Sequence, residues 1–160
     1  MSVTGIQKRR SREEYVLLFI DDEESIIDVL GKCSRLFGYK AYGFTRAEDA
    51  LRWYQKNIER VDLVCIDMKM PEMSGCECLK EIRTMNPKQR VIVMSGFTEK
   101  REVERALKEG ALRFFEKPFE IEAFFHWVDD AIAGRDRAGT NPKESFPQFE
   151  ATVRRDKVID

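Results

Sequence analysis

Five side chains of this 160-residue sequence could act together chemically: Asp21, Asp22, Asp67, Ser95 and Lys117. Each lies at or just past the end of a short apolar run: YVLLFI before Asp21 and Asp22, LVCI before Asp67, RVIVM before Ser95, and LRFF shortly before Lys117. Three carboxylates brought within a few ångströms cannot all stay ionised without compensation. A hard divalent cation compensates them. Magnesium takes about six oxygen ligands, prefers one or two carboxylates and fills its other positions with water or phosphate oxygens. Lys117 adds a fixed positive charge and Ser95 a hydroxyl donor. A carboxylate nucleophile, a divalent cation, an ammonium and a hydroxyl are the parts of a site in which an aspartate attacks phosphorus. The sequence contains no GxxxxGK[ST] and no GxGxxG, the loops that cradle nucleotide phosphates. The phosphoryl group is therefore expected on another small carrier or on a partner protein.

The elements that must position these residues are legible from two alternating periodicities. Apolar runs of four to six residues fall at Tyr15–Ile20, Lys40–Phe44, Leu63–Ile66, Arg90–Met94 and Leu112–Phe115, the second being the weakest. Rich in Val, Ile and Phe, they read as strands buried on both faces, the habit of parallel sheets. Between them lie helical stripes: Ile26, Leu30, Cys33 and Phe37; Ala47, Ala50, Leu51 and Tyr54; Cys78, Leu79 and Ile82; Val103, Ala106 and Leu107, stopping at Gly110; and Ile121 through Ile132, stopping at Gly134. Thr45 and Glu48 read as a capping box in front of the second stripe. Strand and helix alternating five times imply parallel strands with right-handed crossovers, an α/β doubly wound domain with helices on both faces. In such sheets ligands bind outside the carboxyl ends of the strands, where the five residues lie.

Composition sets the class. Hydrophobic residues make up 42% and charged residues 36%, a balance expected of a soluble globular chain. Net charge is −1, against the strongly basic balance of a generic nucleic-acid binder. The basic residues concentrate at the two ends, which leaves residues 15–134 acidic. No apolar run reaches the roughly 18 residues of a membrane span, and the start carries no secretory h-region, so a cytoplasmic chain is expected. One histidine, His126, rules out a multi-histidine metal site within the chain and reads as a helix-surface residue. Cys33, Cys65, Cys76 and Cys78 read as packing residues, and Met68, Met70 and Met73 as loop packing.

The segments FIDDEESI, CIDMKMPEMSG, VMSGFTEKREVERALKEGA and FFEKPF together resemble the bacterial response-regulator receiver domain of two-component signalling. All four occur in the family's order and spacing, and the likeness covers about residues 15–134. It implies a flavodoxin-like five-stranded sheet in the order 2-1-3-4-5. It implies that Asp67 accepts a phosphoryl group from the phosphohistidine of a sensor histidine kinase or histidine phosphotransfer protein. Mg2+, or Mn2+ in its place, would be held by Asp22 directly, by Asp21 through water, by Asp67 and by the backbone carbonyl of Lys69. Lys117 would pair with the phosphoryl oxygens, ahead of a cis bond to Pro118. Ser95 would be the switch hydroxyl and Phe114 the switch aromatic. Phe97 and Lys69 occupy positions that border the path of attacking water, and Phe97 is expected to prolong the phosphorylated lifetime.

The resemblance further implies output by protein–protein contact with a downstream target, with the Val103–Ile132 face available for a homodimer. The sequence shows no DNA-binding motif. Residues 1–14 are expected to be a flexible basic arm. Residues 135–160 are expected to be a disordered or partner-docking tail. The alternative reading is a phosphorylation-independent binding module of the same fold, which the complete acidic set and Lys117 disfavour. A small-molecule phosphatase would show a second aspartate where Lys69 stands. An FMN binder would show a phosphate-binding loop where DDEES stands.

Overall fold

Alternation along the strands decides which helix covers which face of the sheet. A computed structural model describes residues 11–96 and 99–134. The expectations for Phe97, residues 1–10 and the segment 135–160 lie outside the described residues. Five strands, β1 (Val16–Ile20), β2 (Lys40–Phe44), β3 (Leu63–Asp67), β4 (Val91–Ser95) and β5 (Phe114–Glu116), form one sheet. All pairings are parallel, in the order β2-β1-β3-β4-β5. The helices are α1 (Glu24–Leu36), α2 (Ala47–Asn57), α3 (Gly75–Met85), α4 (Lys100–Lys108) and α5 (Ile121–Ile132). None of them is long and apolar enough to cross a membrane.

Leu18, Ile20, Val64, Ile66, Val91 and Val93 point to one face, where Ala47, Tyr54, Leu79, Ile82, Val103 and Ala106 from α2, α3 and α4 cover them. Leu17, Phe19, Leu63, Cys65, Ile92 and Met94 point to the other, under Leu30 of α1 and Phe124, Phe125 and Val128 of α5. Side chains alternate faces with period two, so each strand feeds both cores and β1, β3 and β4 are fully buried. β2 departs from the expectation of burial on both faces. It is an edge strand, exposed or half-exposed throughout, and Tyr42 packs on Trp53 of α2 with ring centroids 4.6 Å apart. A strand with one neighbour needs fewer apolar residues, which is why its run is the weakest in the sequence.

Local signals set the ends of the elements. Gly38, Gly110 and Gly134 follow α1, α4 and α5 with positive φ, the left-handed stop that glycine adopts without a Cβ penalty. The expected Thr45–Glu48 capping box is absent. α2 begins at Ala47 with Arg46 as its N-cap and no side-chain cap, so Glu48 falls one position too early to reach back. A true box sits on α3: the Glu77 N–H donates to Ser74 Oγ at 3.2 Å, and the Ser74 N–H donates to Glu77 Oε2 at 2.9 Å. Residues 12–14, assigned to the arm, form a 3-10 turn, and Arg12 pairs with Asp129 of α5 at 2.6 Å. Cys65, Cys76 and Cys78 are buried and Cys33 is half-buried, all as free thiols.

Candidate functional site

The carboxyl ends of β1, β3, β4 and β5 deliver the site. After β1, the Asp21 N–H donates to Phe44 O at 3.1 Å, continuing the ladder with β2 and fixing Asp21 in place. Its Oδ1 accepts the Glu23 N–H at 2.9 Å. Asp67 is the last residue of β3, and its Oδ1 accepts the Lys69 N–H at 3.3 Å. Ser95 ends β4. The Lys117 N–H donates to Ser95 O at 2.8 Å, which binds the β5 end to the β4 end. The Lys117–Pro118 bond is cis, as the resemblance implies.

These connections bring the five residues named at the outset to one end of the sheet. Carboxylate oxygens of Asp21, Asp22 and Asp67 lie within 4.8 Å of one another. Asp21 is 0% exposed, Asp67 4% and Ser95 1%, whereas Asp22 and Lys69 face solvent. The Lys117 ammonium donates to Asp21 Oδ2 and stands 3.5 Å from Asp67 Oδ2. A cavity of about 570 Å3 opens over the group. Asp22, Asp67, Lys69, Ser95 and Lys117 line its polar side, and Ile26, Val29 and Leu30 of α1 with Phe119 and Ile121 line its apolar side. Phe114 is buried on the face covered by α2, α3 and α4.

Charge is crowded here. Burial, and then the negative charge of Asp21, push the Asp67 carboxyl up to about 7. The Lys117 ammonium and the Lys69 N–H pull it back part of the way. Burial works against the charged form of Lys117, but the Asp21 hydrogen bond and the charges of Asp21 and Asp67 hold its pKa above the ordinary value. The Lys117 ammonium pairs with Asp21 and Asp67, while Asp22 adds a third carboxylate within 4.8 Å. All-oxygen donors with surplus negative charge suit a hard divalent cation, so the residues fit Mg2+.

This crowding has a measurable cost in the metal-free protein. The native-state pKa of Asp67 is raised above its ordinary 3.8, so the native state holds a proton that the unfolded chain has lost. That contribution to stability is complete below the unfolded value and disappears as pH rises through about 7. Asp67→Asn removes the titration. In chelator, the variant is expected to exceed the wild type by about 2 kcal/mol at pH 8, with the gain shrinking toward pH 5. Urea unfolding at the two pH values measures it, and a variant no more stable than the wild type at pH 8 contradicts the crowding.

Two contributors went unread in the sequence. A Cβ on Gly75 would stand 2.5 Å from Asp67 O and 2.6 Å from Met68 Cα, so only glycine lets α3 start this close to the end of β3. The sequence carries it only as an SG pair before a helical stripe, and such a pair does not signal a close backbone approach. The apolar wall of the cavity carried no separate signal, because Ile26 and Leu30 look like ordinary core positions.

The comparisons with known proteins agree with this geometry. A family model described as "Response regulator receiver domain" matches residues 17–129. Transcriptional regulatory protein ZraR of Klebsiella oxytoca is 35% identical over 124 residues, which are 77% of this chain but 27% of that protein. Sporulation initiation phosphotransferase F of Bacillus subtilis is 35% identical over 106 residues, 66% of this chain and 84% of that protein. Among solved structures, a response regulator receiver domain protein from Clostridium thermocellum superposes with a TM-score of 0.72 at 29% identity, covering 76% of this chain and 96% of that one. The CheX–CheY–BeF3–Mg2+ complex of Borrelia burgdorferi gives 0.67 at 26% identity, covering 71% and 86%. With this order of strands, this acidic end of the sheet and a match over most of its length, the chain belongs to the response regulator receiver domain family.

Proposed function

We propose that Asp67 accepts a phosphoryl group from the phosphohistidine of a sensor histidine kinase or histidine phosphotransfer protein, in a Mg2+-dependent reaction in the cytoplasm. The observation that carries this reading is a buried carboxylate at the floor of an open cavity, crowded by Asp21 and Asp22 and faced by the Lys117 ammonium at 3.5 Å. Asp21, Asp22, Asp67 and the Lys69 carbonyl would hold a Mg2+ ion, which supplies charge neutralisation for an approaching phosphoryl group. In the transfer, an Asp67 carboxylate oxygen bonds to phosphorus as the N–P bond of the donor breaks, and the imidazole leaves with the electron pair and takes up a proton. Lys117 neutralises phosphoryl oxygens, and the burial of Asp67 limits water around the attacking atom.

The phosphoryl group adds charge of about −1.5 to −2 if it resembles other phosphoryl groups. Lys117 and the Ser95 hydroxyl, which line the cavity, would engage that charge, and Phe114, buried in the core under α2, α3 and α4, would respond to it. Reversing a two-state equilibrium from about 1:99 to 99:1 takes about 5.5 kcal/mol of differential interaction, within the range of several charge-assisted contacts. The output surface we assign is the Val103–Ile132 face, toward a downstream protein or a second copy of the chain.

Intact-protein mass after incubation with acetyl phosphate, with and without Mg2+, tests the reading. A single phosphoryl increment that requires Mg2+ and maps to the peptide holding Asp67 is expected. If neither acetyl phosphate nor a phosphorylated histidine phosphotransfer domain produces it, the phosphorylation-independent binding module takes its place.

A further inference from the structure

Glu72 is the one non-glycine among the described residues with a positive φ, at 70°. A side chain in left-handed backbone is strained and persists only where the surroundings hold it there. Glu72 sits at the exposed tip of the loop between β3 and α3, the loop that carries Lys69. The base of this loop is fastened, because the Gly75 N–H donates to Met68 O at 3.0 Å. Its underside is fastened by Met70 and Met73, which pack against the core. Its tip is not packed onto the neighbouring β2–α2 loop. A cavity of about 320 Å3 separates the two, bordered by Thr45, Ala47, Met70 and Met73.

Arg46 spans that gap. Its Nη2 lies 2.9 Å from Glu72 Oε2, with a looser 3.9 Å approach to Glu48. As the N-cap of α2, Arg46 occupies a position where Ser, Thr, Asp or Asn usually satisfies the helix end, and it makes no such bond. Its side chain is committed across the gap instead.

We propose that Arg46, acting through Glu72, is a positioning residue for the β3–α3 loop, and so for the Lys69 carbonyl that this loop carries. The inference rests on the functional reading that this carbonyl is a Mg2+ ligand. An exposed ion pair stabilises only weakly, on the scale of the backbone cost at Glu72. The two nearly balance, so the pair decides how much of the population holds the loop in the liganding shape. Both partners are exposed, so salt weakens the latch.

Calorimetric titration of the full chain with Mg2+, at low ionic strength and again at about 1 M salt, tests this. At low salt Arg46→Ala is expected to bind Mg2+ about threefold more weakly than the wild type, and the gap closes at high salt. Glu72→Gly, which removes the pair and the backbone strain together, loses less affinity than Glu72→Ala, which keeps the strain. The exchange Arg46→Glu with Glu72→Arg restores the affinity lost in either single charge substitution. A wild type that binds Mg2+ while Arg46→Ala binds equally well at low salt overturns the latch alone. A gap that ignores salt, or an exchange that restores nothing, does the same. A wild type that binds no Mg2+ overturns the functional reading and the latch together.

Discussion

Lys117→Met is expected to destabilise the metal-free protein by about 3 kcal/mol at pH 8, to tighten Mg2+ binding, and to disconnect phosphorylation from output. The three effects share one cause. Lys117 is 13% exposed in its side chain and is the ammonium between Asp21, which is fully buried, and Asp67. Removing one partner of a buried charge pair costs about 3–5 kcal/mol, because the other partner stays buried without compensation. Methionine keeps the length and the apolar stem, so packing loss adds little. Without the ammonium, the carboxyl of Asp67 rises further above about 7, since the positive charge that lowers it is gone. A carboxyl whose native pKa rises loses its stabilising contribution as pH rises through that value, so the penalty is largest at pH 8 and small near pH 5.

Mg2+ acts in the opposite direction. On the proposed Mg2+ site the ammonium and the cation would compete for the carboxylates of Asp21 and Asp67, so its removal is expected to strengthen Mg2+ affinity about tenfold for each 1.4 kcal/mol of competition relieved. The variant then regains stability on adding Mg2+ more than the wild type does. Its acetyl phosphate adduct, where formed, lacks the ammonium that would report the new charge to β5. Urea unfolding with chelator and with Mg2+ measures the first two effects. Equal stability of variant and wild type at pH 8 in chelator removes the basis of all three.

How far the sequence revealed this site depends on what each residue's role requires. Asp21, Asp67 and Ser95 were legible because a strand end is a sharp signal: an apolar run stops and a polar residue follows. The register of a parallel sheet then places strand ends side by side, as in the pairings Ile20 with Ile66, Asp67 with Met94 and Ser95 with Glu116. Lys117 was legible through its place after β5, although that strand is Phe114–Glu116, not Leu112–Phe115. Leu112 and Arg113 still bond to β4, the Leu112 N–H donating to Val91 O at 2.8 Å and the Val93 N–H donating to Arg113 O at 3.0 Å, so the apolar run meets its neighbour two residues before the regular strand begins. The edge character of β2 was half legible, as a weak run. The Arg46–Glu72 contact was not legible, because two exposed charges 26 residues apart carry no periodicity and their meeting depends on two loop shapes. The α2 cap was misread because the box signature tolerates no shift of a single residue, and Arg46, not Thr45, ends the extended stretch.

Gly75 follows the same logic, since its role lies in a distance between backbones that no pattern of side chains encodes. Gly75→Ala is expected to cost about 3 kcal/mol of stability and at least about tenfold in the rate of phosphoryl uptake. The added Cβ would meet Asp67 O at 2.5 Å, Met68 Cα at 2.6 Å and Asp67 C at 3.1 Å. All three are backbone atoms, so no rotamer change relieves the clash. Either α3 retreats, breaking the Gly75 N–H bond to Met68 O and loosening Cys78, Leu79 and Ile82 from the core, or the end of β3 moves and carries the Asp67 carboxylate with it. The first path reads as lost stability, the second as lost chemistry, since a displacement near 1 Å costs about a hundredfold in a positioned reaction. Gly96 supplies the contrast. It also adjoins the cavity, but among the described residues a Cβ there meets only the Lys117 side chain, at 3.9 Å, so Gly96→Ala is expected to leave stability within about 0.5 kcal/mol of wild type. Urea unfolding of both variants, with the rate of adduct formation for Gly75→Ala, checks the difference. A Gly75→Ala chain as stable and as readily phosphorylated as the wild type would mean that the loop between Asp67 and α3 yields freely, and that the acceptor's position is set by β3 alone.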